Sequence, residues 1–193
     1  MRFILASASP RRSSLLKQIY ITPDDICPAD INEDSVPGEL PRFHAGRLAN
    51  EKCHKIAAEI SDCVILAADT VVGVGRRILP KTETPEQAKL CLDLLSGRAH
   101  RVFTGIAVHS PEKGLTSRVV ETRVKIKPLS AQDKEFYIQS EEWRGKAGGY
   151  GIQGYADAFI ASLSGSYSNV VGLPLLETRH MLAAHGITGS MKI

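Results

Sequence analysis

The segment CVILAADTVVGVG at residues 63–75 constrains the fold more than any other part of the sequence. Its continuous apolar run is typical of a strand that is buried in a sheet. Asp69 and Thr70 interrupt the run, and Gly73 and Gly75 indicate a turn. Because burying an unpaired carboxylate costs several kcal/mol, we expect Asp69 to meet a cation, a donor or water at the end of the strand. An aspartate that only caps a turn, beside a threonine that only favours strand, remains the alternative.

Helices and further strands alternate along the rest of the chain. Residues 2–6 predict a strand, which a tight loop joins to a helix containing Leu15, Leu16 and Ile19. The stretch 22–41 lacks periodicity and predicts a loop. Further helices are predicted at 40–60, 84–95, 130–140 and about 174–185, and an antiparallel hairpin at 100–110 and 115–127. A Gly-rich segment at 145–154, an apolar run at 158–163 and a turn at Gly165-Ser166 precede the last helix.

This order predicts an α/β fold, with a mixed twisted sheet, flanking helices and two lobes around a central cleft. The chain has 193 residues, of which 43% are hydrophobic and 23% are charged. That size and composition are typical of one globular domain, so we expect residues 1–193 to form a single domain.

Charge and cysteine content exclude several classes of protein. The net charge is only +3, the basic residues are spread along the chain, and 6% of residues are aromatic, which favours small anions over nucleic acid as ligands. The four cysteines form no CxxC pair, which predicts free thiols rather than a zinc site. No apolar run approaches the roughly 18 residues that a membrane span needs. A soluble cytoplasmic protein is therefore expected.

The segment SASPRR at residues 7–12 predicts an anion site. Ser9 suits the N-cap of the following helix, and Pro10 suits its first position. Because a helix N-terminus carries partial positive charge, Arg11 and Arg12 are unfavourably placed there unless an anion such as a phosphate binds. A solvated basic turn is the alternative.

Other candidate residues carry weaker signals. Lys52 on the long helix and Lys81 after a predicted turn are either site residues or solvated lysines. The loop carboxylates Asp30, Glu33 and Asp34 have the oxygen ligands that Mg²⁺ prefers, or they only keep the loop soluble.

The Gly-rich segment KAGGYGIQG at 146–154 permits close approach of backbone to a ligand. Gln153 offers a donor and an acceptor that suit the imide edge of uracil or thymine, although loop glutamines are usually solvated. Residues 166–169 either bind a sugar or form a turn, and we favour the turn.

Four blocks together resemble the Maf family of nucleotide pyrophosphatases over nearly the whole chain: SASPRR at 7–12, ADTVV at 68–72, KAGGYGIQG at 146–154 and GSYSNVVGLPLLET at 165–178. The resemblance implies a two-lobed fold related to the inosine triphosphate pyrophosphatases, with the nucleotide in the cleft, and dimers are common in the family. It also implies that Asp69 is the proton acceptor, and that Arg12, Lys52 and Lys81 form the charged pocket with Glu33 beside them.

Within the family, the branch that hydrolyses dTTP and UTP is similar to this chain at Arg12, Thr70 and Gln153. The branch that acts on 7-methyl-GTP has SPWR and SDQV where this chain has SPRR and ADTV. Two departures stand beside the motifs: Thr82 replaces the usual proline after Lys81, and Trp143 stands where proline is common. We expect Trp143 to affect the rim of the pocket or a dimer contact.

The residues and the resemblance together give a complete set of expected sites. Substrate contacts are expected from Ser7, Arg11, Arg12, Lys52, Thr70, Lys81 and Gln153, with specificity from Arg12, Thr70 and Gln153. Glu33 and Asp69 are expected to hold Mg²⁺ or Mn²⁺. Water then attacks the α-phosphorus of a pyrimidine nucleoside triphosphate while the cationic side chains neutralise the departing pyrophosphate. Asp69 either accepts the proton or orients the water.

Three alternatives remain open at this stage. One is a regulator of septum formation that binds nucleotide without turnover. Another is a nucleic-acid-binding protein, which the charge and aromatic content disfavour. The last is the same enzyme with a preference for purine or modified nucleotides.

Overall fold

In the computed structural model, which describes residues 1–189, seven strands and six α-helices form an α/β fold. The strands are β1 (Arg2–Leu5), β2 (Asp25–Ile26), β3 (Cys63–Val74), β4 (Arg77–Leu79), β5 (Ala99–Ser110), β6 (Gly114–Ile126) and β7 (Ile160–Ser164). The helices are α1 (Pro10–Gln18), α2 (Pro41–Glu59), α3 (Pro85–Leu95), α4 (Ala131–Gln139), α5 (Tyr167–Val171) and α6 (Leu175–Ala184). A 3₁₀ helix covers Tyr155–Phe159.

One mixed sheet connects all the strands, in the order β2-β1-β3-β5-β6-β7, with β4 paired to β3. β1 is parallel to both β2 and β3, whereas β3, β5, β6 and β7 pair in antiparallel fashion. The predicted hairpin is β5 and β6. The prediction of a mixed sheet with flanking helices is confirmed.

Alternation of side chains along the strands divides the core between the two faces of the sheet. On β1, Phe3 and Leu5 join the larger cluster, which includes residues of α1, α3, α4 and α6. Ile4 points to the opposite face, where Ala49 and Cys53 of α2 pack. Because successive side chains of a strand point to opposite faces, a strand that is apolar throughout is covered by helices on both sides.

Local sequence signals explain most helix boundaries. Thr84 and Ser130 each form a capping box, in which the side chain accepts a hydrogen bond from the backbone and the residue three positions later reciprocates. Pro10, Pro41 and Pro85 occupy first helical positions, where the missing amide proton costs nothing. Ser9 stands at the N-cap of α1 but makes no capping hydrogen bond with its side chain.

The prediction that the strand breaks at Asp69 and Thr70 is wrong. β3 runs through both residues, and they pair with Gly105 and Thr104 of β5. The physical reason is that β5 satisfies one edge of β3 along this whole stretch, so the polar side chains do not interrupt the backbone ladder. Asp69 therefore lies in the middle of a strand and not at its end.

The segment after the 3₁₀ helix also differs in detail from the expectation. The turn expected at residues 166–169 is replaced by the short helix α5, whose N-cap Ser166 accepts a hydrogen bond from the Asn169 amide.

Cys27, Cys53, Cys63 and Cys91 are all free thiols, as predicted. Within residues 1–189, none of the helices has the length and apolar character to cross a membrane.

Candidate functional site

A cleft opens beside the middle of β3. β1 pairs with β3 up to Leu66, and β4 pairs with it from Val72. In the described part of the chain, no strand pairs with this edge of β3 between those two residues, so space remains beside Asp69 and Thr70. The resulting cleft has a volume of about 720 Å³. That volume lies in the range of small-molecule sites, roughly 300–1,000 Å³.

Lys52 holds two carboxylates at the base of the cleft. Its Nζ donates to Oδ1 of Asp69 at 2.6 Å and lies 2.5 Å from Oε1 of Glu33. Lys52 and Asp69 are only 7% and 3% exposed. Each charge therefore offsets the free-energy cost of removing the other from water. The cation that we expected beside Asp69 is thus the ammonium group of Lys52, a residue of α2.

Glu33 extends the chain of charges to the mouth of the cleft. Its second carboxylate oxygen accepts a hydrogen bond from Lys81, whose side chain is half exposed. Burial raises the pKa of Glu33, but the hydrogen bonds and charges of Lys52 and Lys81 outweigh burial and lower this pKa to about 2. Glu33 is therefore an anion at neutral pH. The four groups alternate in sign from Asp69 through Lys52 and Glu33 to Lys81.

The donor set suits a hard divalent cation that retains open positions. Within residues 1–189, no cluster of three or more Asp, Glu, His or Cys side chains could hold a metal by itself. Mg²⁺ sites in nucleotide enzymes usually take only one or two carboxylates and complete the shell with phosphate and water. Glu33 and Asp69 line the same cleft and contact the same ammonium group, so this pair fits such a cation in the presence of a polyphosphate.

Arg12 is fixed on the opposite side of the cleft. It donates from Nη1 to Ser7 Oγ at 2.7 Å, from Nε to the carbonyl oxygen of Gly172 at 2.9 Å, and from Nη2 to Thr70 Oγ1 at 3.3 Å. Burial and the nearby charge of Arg11 lower the pKa of Arg12, while Asp69 and Glu33 act in the opposite direction. A guanidinium group still stays protonated in proteins, so Arg12 contributes a positive charge in a defined orientation.

The Gly-rich segment forms another part of the cleft lining. Gly148 and Gly149 both have a φ of +68°, a conformation that side-chain-bearing residues rarely adopt, and a Cβ at Gly148 would press on Val72. The resulting turn brings Gln153 to the cleft with an exposed side chain. Lys146 also lines the cleft, and burial together with Arg11 lowers its pKa.

The structure brings all nine predicted site residues to the same cleft. Its lining includes Ser7, Arg11, Arg12, Glu33, Lys52, Asp69, Thr70, Lys81 and Gln153. Asp30 is exposed and lies outside the lining, and Asp34 is exposed beside a neighbouring cavity of about 330 Å³. Among residues 166–169, Asn169 is fully buried and its amide bonds to Val102 O and Thr122 Oγ1, which favours a structural role over sugar binding.

The two departures Thr82 and Trp143 contact each other. The Thr82 hydroxyl donates to the carbonyl oxygen of Trp143 at 2.7 Å, and both residues are 0% exposed. The indole nitrogen of Trp143 donates to Ile138 O inside the core. The expectation that Trp143 affects the rim or a dimer contact is therefore wrong, because its ring is buried within the chain. The pair instead ties the end of the Lys81 segment to the start of the Gly-rich segment.

Sequence reasoning missed two contributions to the site. Thr104 lies behind Thr70, with the two hydroxyl oxygens 3.0 Å apart, and the Gly172 carbonyl accepts from Arg12. The pairing of Thr104 with Thr70 depends on strand register, which sequence alone does not fix for distant strands. The available signal was Thr104, which is the one polar side chain in the run VFTGIAV at residues 102–108 of β5. A Cβ at Gly105 would overlap the Ala45 carbonyl, so this glycine lets α2 approach the sheet.

Comparisons with known proteins give a matching family model and several relatives of high sequence identity. A family model described as Maf-like protein matches residues 2–185. The dTTP/UTP pyrophosphatase of Maricaulis maris is 58% identical over 96% of this chain and 88% of its own length. The proteins of the same name from Caulobacter vibrioides and Zymomonas mobilis are each 54% identical over 95% of this chain, and over 95% and 91% of their own lengths.

Solved structures give a weaker likeness. The Ham1 protein of Staphylococcus aureus has 15% identity and a TM-score of 0.47 over 65% of this chain and 72% of its own. A HAM1 protein from Coxiella burnetii has 16% identity and a TM-score of 0.43 over 65% of this chain and 73% of its own.

Proposed function

The chain belongs to the Maf-like protein family, and from that premise we propose that it hydrolyses dTTP and UTP to the nucleoside monophosphate and pyrophosphate. The observation that carries the proposal is the alternation of charge in one nucleotide-sized cleft, where Lys52 bridges the buried carboxylate of Asp69 and the carboxylate of Glu33. Relatives that are 50–58% identical bear the name dTTP/UTP pyrophosphatase.

The basic side chains bind the triphosphate. Lys52 is held at the base of the cleft, Lys81 lies near its mouth, and Arg12 faces them from the other side. Since these positions surround the cleft, they neutralise the negative charge that grows on the pyrophosphate as it departs. Preorganised charges of this kind stabilise a transition state because little reorganisation is needed during the reaction.

Asp69 acts on the attacking water. Lys52 bonds to Oδ1 of Asp69 and fixes the carboxylate on a central strand, so its position does not depend on a mobile loop. Water attacks the α-phosphorus, and the bond from that phosphorus to the oxygen shared with the β-phosphorus breaks. The oxygen of water stays with the monophosphate, the shared oxygen leaves with pyrophosphate, and the carboxylate of Asp69 takes up the water proton before releasing it to solvent.

Glu33 and Asp69 would hold a divalent cation, Mg²⁺ or Mn²⁺, which supplies positive charge to the phosphate oxygens when bound. Since both carboxylates also contact Lys52, the lysine offsets their mutual repulsion and orients them before the substrate arrives.

Gln153 and Thr70 select the base. The Gln153 amide offers a donor to a carbonyl oxygen of uracil or thymine, and Thr70 Oγ1 offers an acceptor to the imide N–H beside that carbonyl. Arg12 donates from Nη2 to Thr70 Oγ1 and helps to orient this acceptor. The physiological substrate is therefore a pyrimidine nucleotide with an imide edge.

The test is pyrophosphate release from a panel of nucleoside triphosphates with Mg²⁺ or Mn²⁺, and with a chelator as the blank. The wild type is expected to act on dTTP and UTP, the Asp69→Asn variant to lose at least about a hundredfold in kcat, and Gln153→Ala to lose selectivity. Asp93→Asn is the matched control, because Asp93 is an aspartate that pairs with Lys134 outside the cleft.

One outcome would refute the role of Asp69, and another would refute the function itself. Near-normal turnover by Asp69→Asn would remove Asp69 from the reaction. Nucleotide binding without release of pyrophosphate by the wild type would instead support a regulator of septum formation.

The proposal also covers the cellular location, the oligomeric state and the partners of the enzyme. We place it in the cytoplasm, where its free cysteines stay reduced, as a homodimer that binds neither nucleic acid nor membrane.

A further inference from the structure

A short chain of hydrogen bonds runs from the cleft into the core behind Thr70. Thr70 and Thr104 are direct partners on β3 and β5, and their hydroxyl oxygens are 3.0 Å apart. Thr104 in turn donates to the carbonyl oxygen of Asn169 at 3.0 Å. Thr104 and Asn169 are both 0% exposed, so neither can exchange these partners for solvent. Thr104 does not line the cleft, whereas Thr70 does.

The position of each proton in this chain follows from counting donors. A hydroxyl group has one proton to donate and two lone pairs to accept with. Because the Thr104 hydroxyl donates its hydrogen bond to the Asn169 carbonyl, it can only accept in its contact with Thr70. If the Thr104 proton turned to Thr70 instead, the buried Asn169 carbonyl would lose the hydroxyl donor that the structure gives it, which is unfavourable.

Thr70 must therefore donate to Thr104. Its other potential acceptor, the carbonyl oxygen of Gly172, is farther away at 3.5 Å and already accepts from Arg12 at 2.9 Å. On its cleft side, Thr70 Oγ1 accepts from Nη2 of Arg12, a group that can only donate. The single proton of Thr70 thus points away from the cleft, and only a lone pair remains for a ligand.

This polarity discriminates between pyrimidines. Uracil and thymine carry a proton on ring nitrogen N3, whereas cytosine has a lone pair there. A hydroxyl with a free proton could serve either ring by rotating, but one whose proton is committed can only accept. Cytosine would lose this hydrogen bond and would place its N3 lone pair against the lone pair of the hydroxyl. The difference in binding free energy between uracil and cytosine is therefore larger than at a site whose hydroxyl can rotate.

We propose that Thr104 is a positioning residue for base selection, which holds the Thr70 hydroxyl as an obligate acceptor and so favours bases with an N3–H over bases with an N3 lone pair. The inference rests on the proposed hydrolysis of dTTP and UTP and assigns Thr104 no contact with the substrate.

The experiment compares kcat/KM for UTP and CTP in the wild type, in Thr104→Val and in Thr104→Ser. Valine keeps the shape of threonine but removes the near acceptor, which leaves the Thr70 proton to the more distant Gly172 carbonyl at 3.5 Å or to a ligand in the cleft. We expect the UTP/CTP ratio to fall about three- to tenfold in Thr104→Val, through a higher kcat/KM for CTP as well as a lower one for UTP. Thr104→Ser keeps the hydroxyl and is expected to keep the ratio within about twofold.

Three results would overturn the proposal: an unchanged ratio in Thr104→Val, an equal fall in Thr104→Ser and Thr104→Val, or a wild type that hydrolyses CTP as well as UTP. The last needs no variant, so the proposal stays testable if Thr104→Val fails to fold. A loss of stability alone would lower both rates and leave the ratio unchanged. Absence of UTP hydrolysis in the wild type would refute the proposed function itself, whereas hydrolysis with an unaltered ratio in Thr104→Val refutes only the role of Thr104.

Discussion

Removing the Lys52 ammonium should destabilise the whole protein, because it leaves the Asp69 carboxylate buried in the middle of β3 without its cation. Asp69 is 3% exposed, and the ion pair with Lys52 is its charged contact at 2.6 Å. Lys52→Met keeps a long flexible side chain on α2 and removes only the charged end. Glu33 still contacts Lys81 in this variant, so the loss is concentrated on Asp69.

The expected magnitude follows from the burial of both partners. Breaking a buried ion pair by removing one member costs about 3–5 kcal/mol. For a chain of this size, each kcal/mol corresponds to roughly 2–4 °C in the midpoint of thermal unfolding, so the midpoint should fall by about 6–20 °C. The double variant Lys52→Met/Asp69→Asn carries no unpaired charge and should unfold at a higher urea concentration than Lys52→Met alone.

Urea unfolding of the wild type, the two variants and a control on the same helix measures these differences. Lys55→Met is the control, because Lys55 is half exposed and pairs with Glu59 across one turn of α2. An exposed pair of this kind contributes little to stability, because solvent screens its charges. The reasoning is refuted if Lys52→Met costs no more than Lys55→Met, or if the double variant is less stable than Lys52→Met.

Three further predictions concern pH and packing. The folded-state pKa of Glu33 is lowered to about 2 from 4.5, chiefly by Lys52 and Lys81 against the effect of burial, so its stabilisation is complete above about pH 4.5 and lost towards pH 2. Urea midpoints of Glu33→Gln and wild type should therefore differ at pH 7 and converge as the pH falls through this range. Burial lowers the pKa of His100 to about 4 from 6.5, so the wild type should lose stability between about pH 6.5 and 4, and His100→Gln should show a flatter pH dependence in the same assay. Gly105→Ala should cost about 1–3 kcal/mol in urea unfolding, because its methyl group would overlap the Ala45 carbonyl, and an unchanged midpoint would contradict the close approach of α2 to β5.

The sequence predicts the elements of this fold well where local signals decide them. The capping residues Thr84 and Ser130 and the first-turn prolines act within a few residues of the helices they begin, so their effect can be recognised without the fold. The long apolar run at residues 63–75 predicts a strand, and this strand is β3. Its continuity through Asp69 was missed, because that depends on β5, a partner that lies about 35 residues away along the chain.

The candidate site shows the same difference between residues in local motifs and residues that depend on long-range pairing. Motifs and resemblance indicated Arg12, Asp69 and Gln153 because each stands in a local pattern that suggests its chemistry. Thr104 escaped notice because its importance comes from register, which places it against Thr70. The contact between Thr82 and Trp143 likewise joins segments separated by 61 residues, so the two departures could not be interpreted together from the sequence.

The position of attack on the substrate tests the central claim most directly. UTP is hydrolysed in water enriched in oxygen-18, and the label is located in the products by mass spectrometry. Attack at the α-phosphorus predicts that the label is found in UMP and that unlabelled pyrophosphate is released in equal amount. Label in pyrophosphate would contradict the proposed position of attack, and formation of UDP and phosphate would contradict the proposed activity.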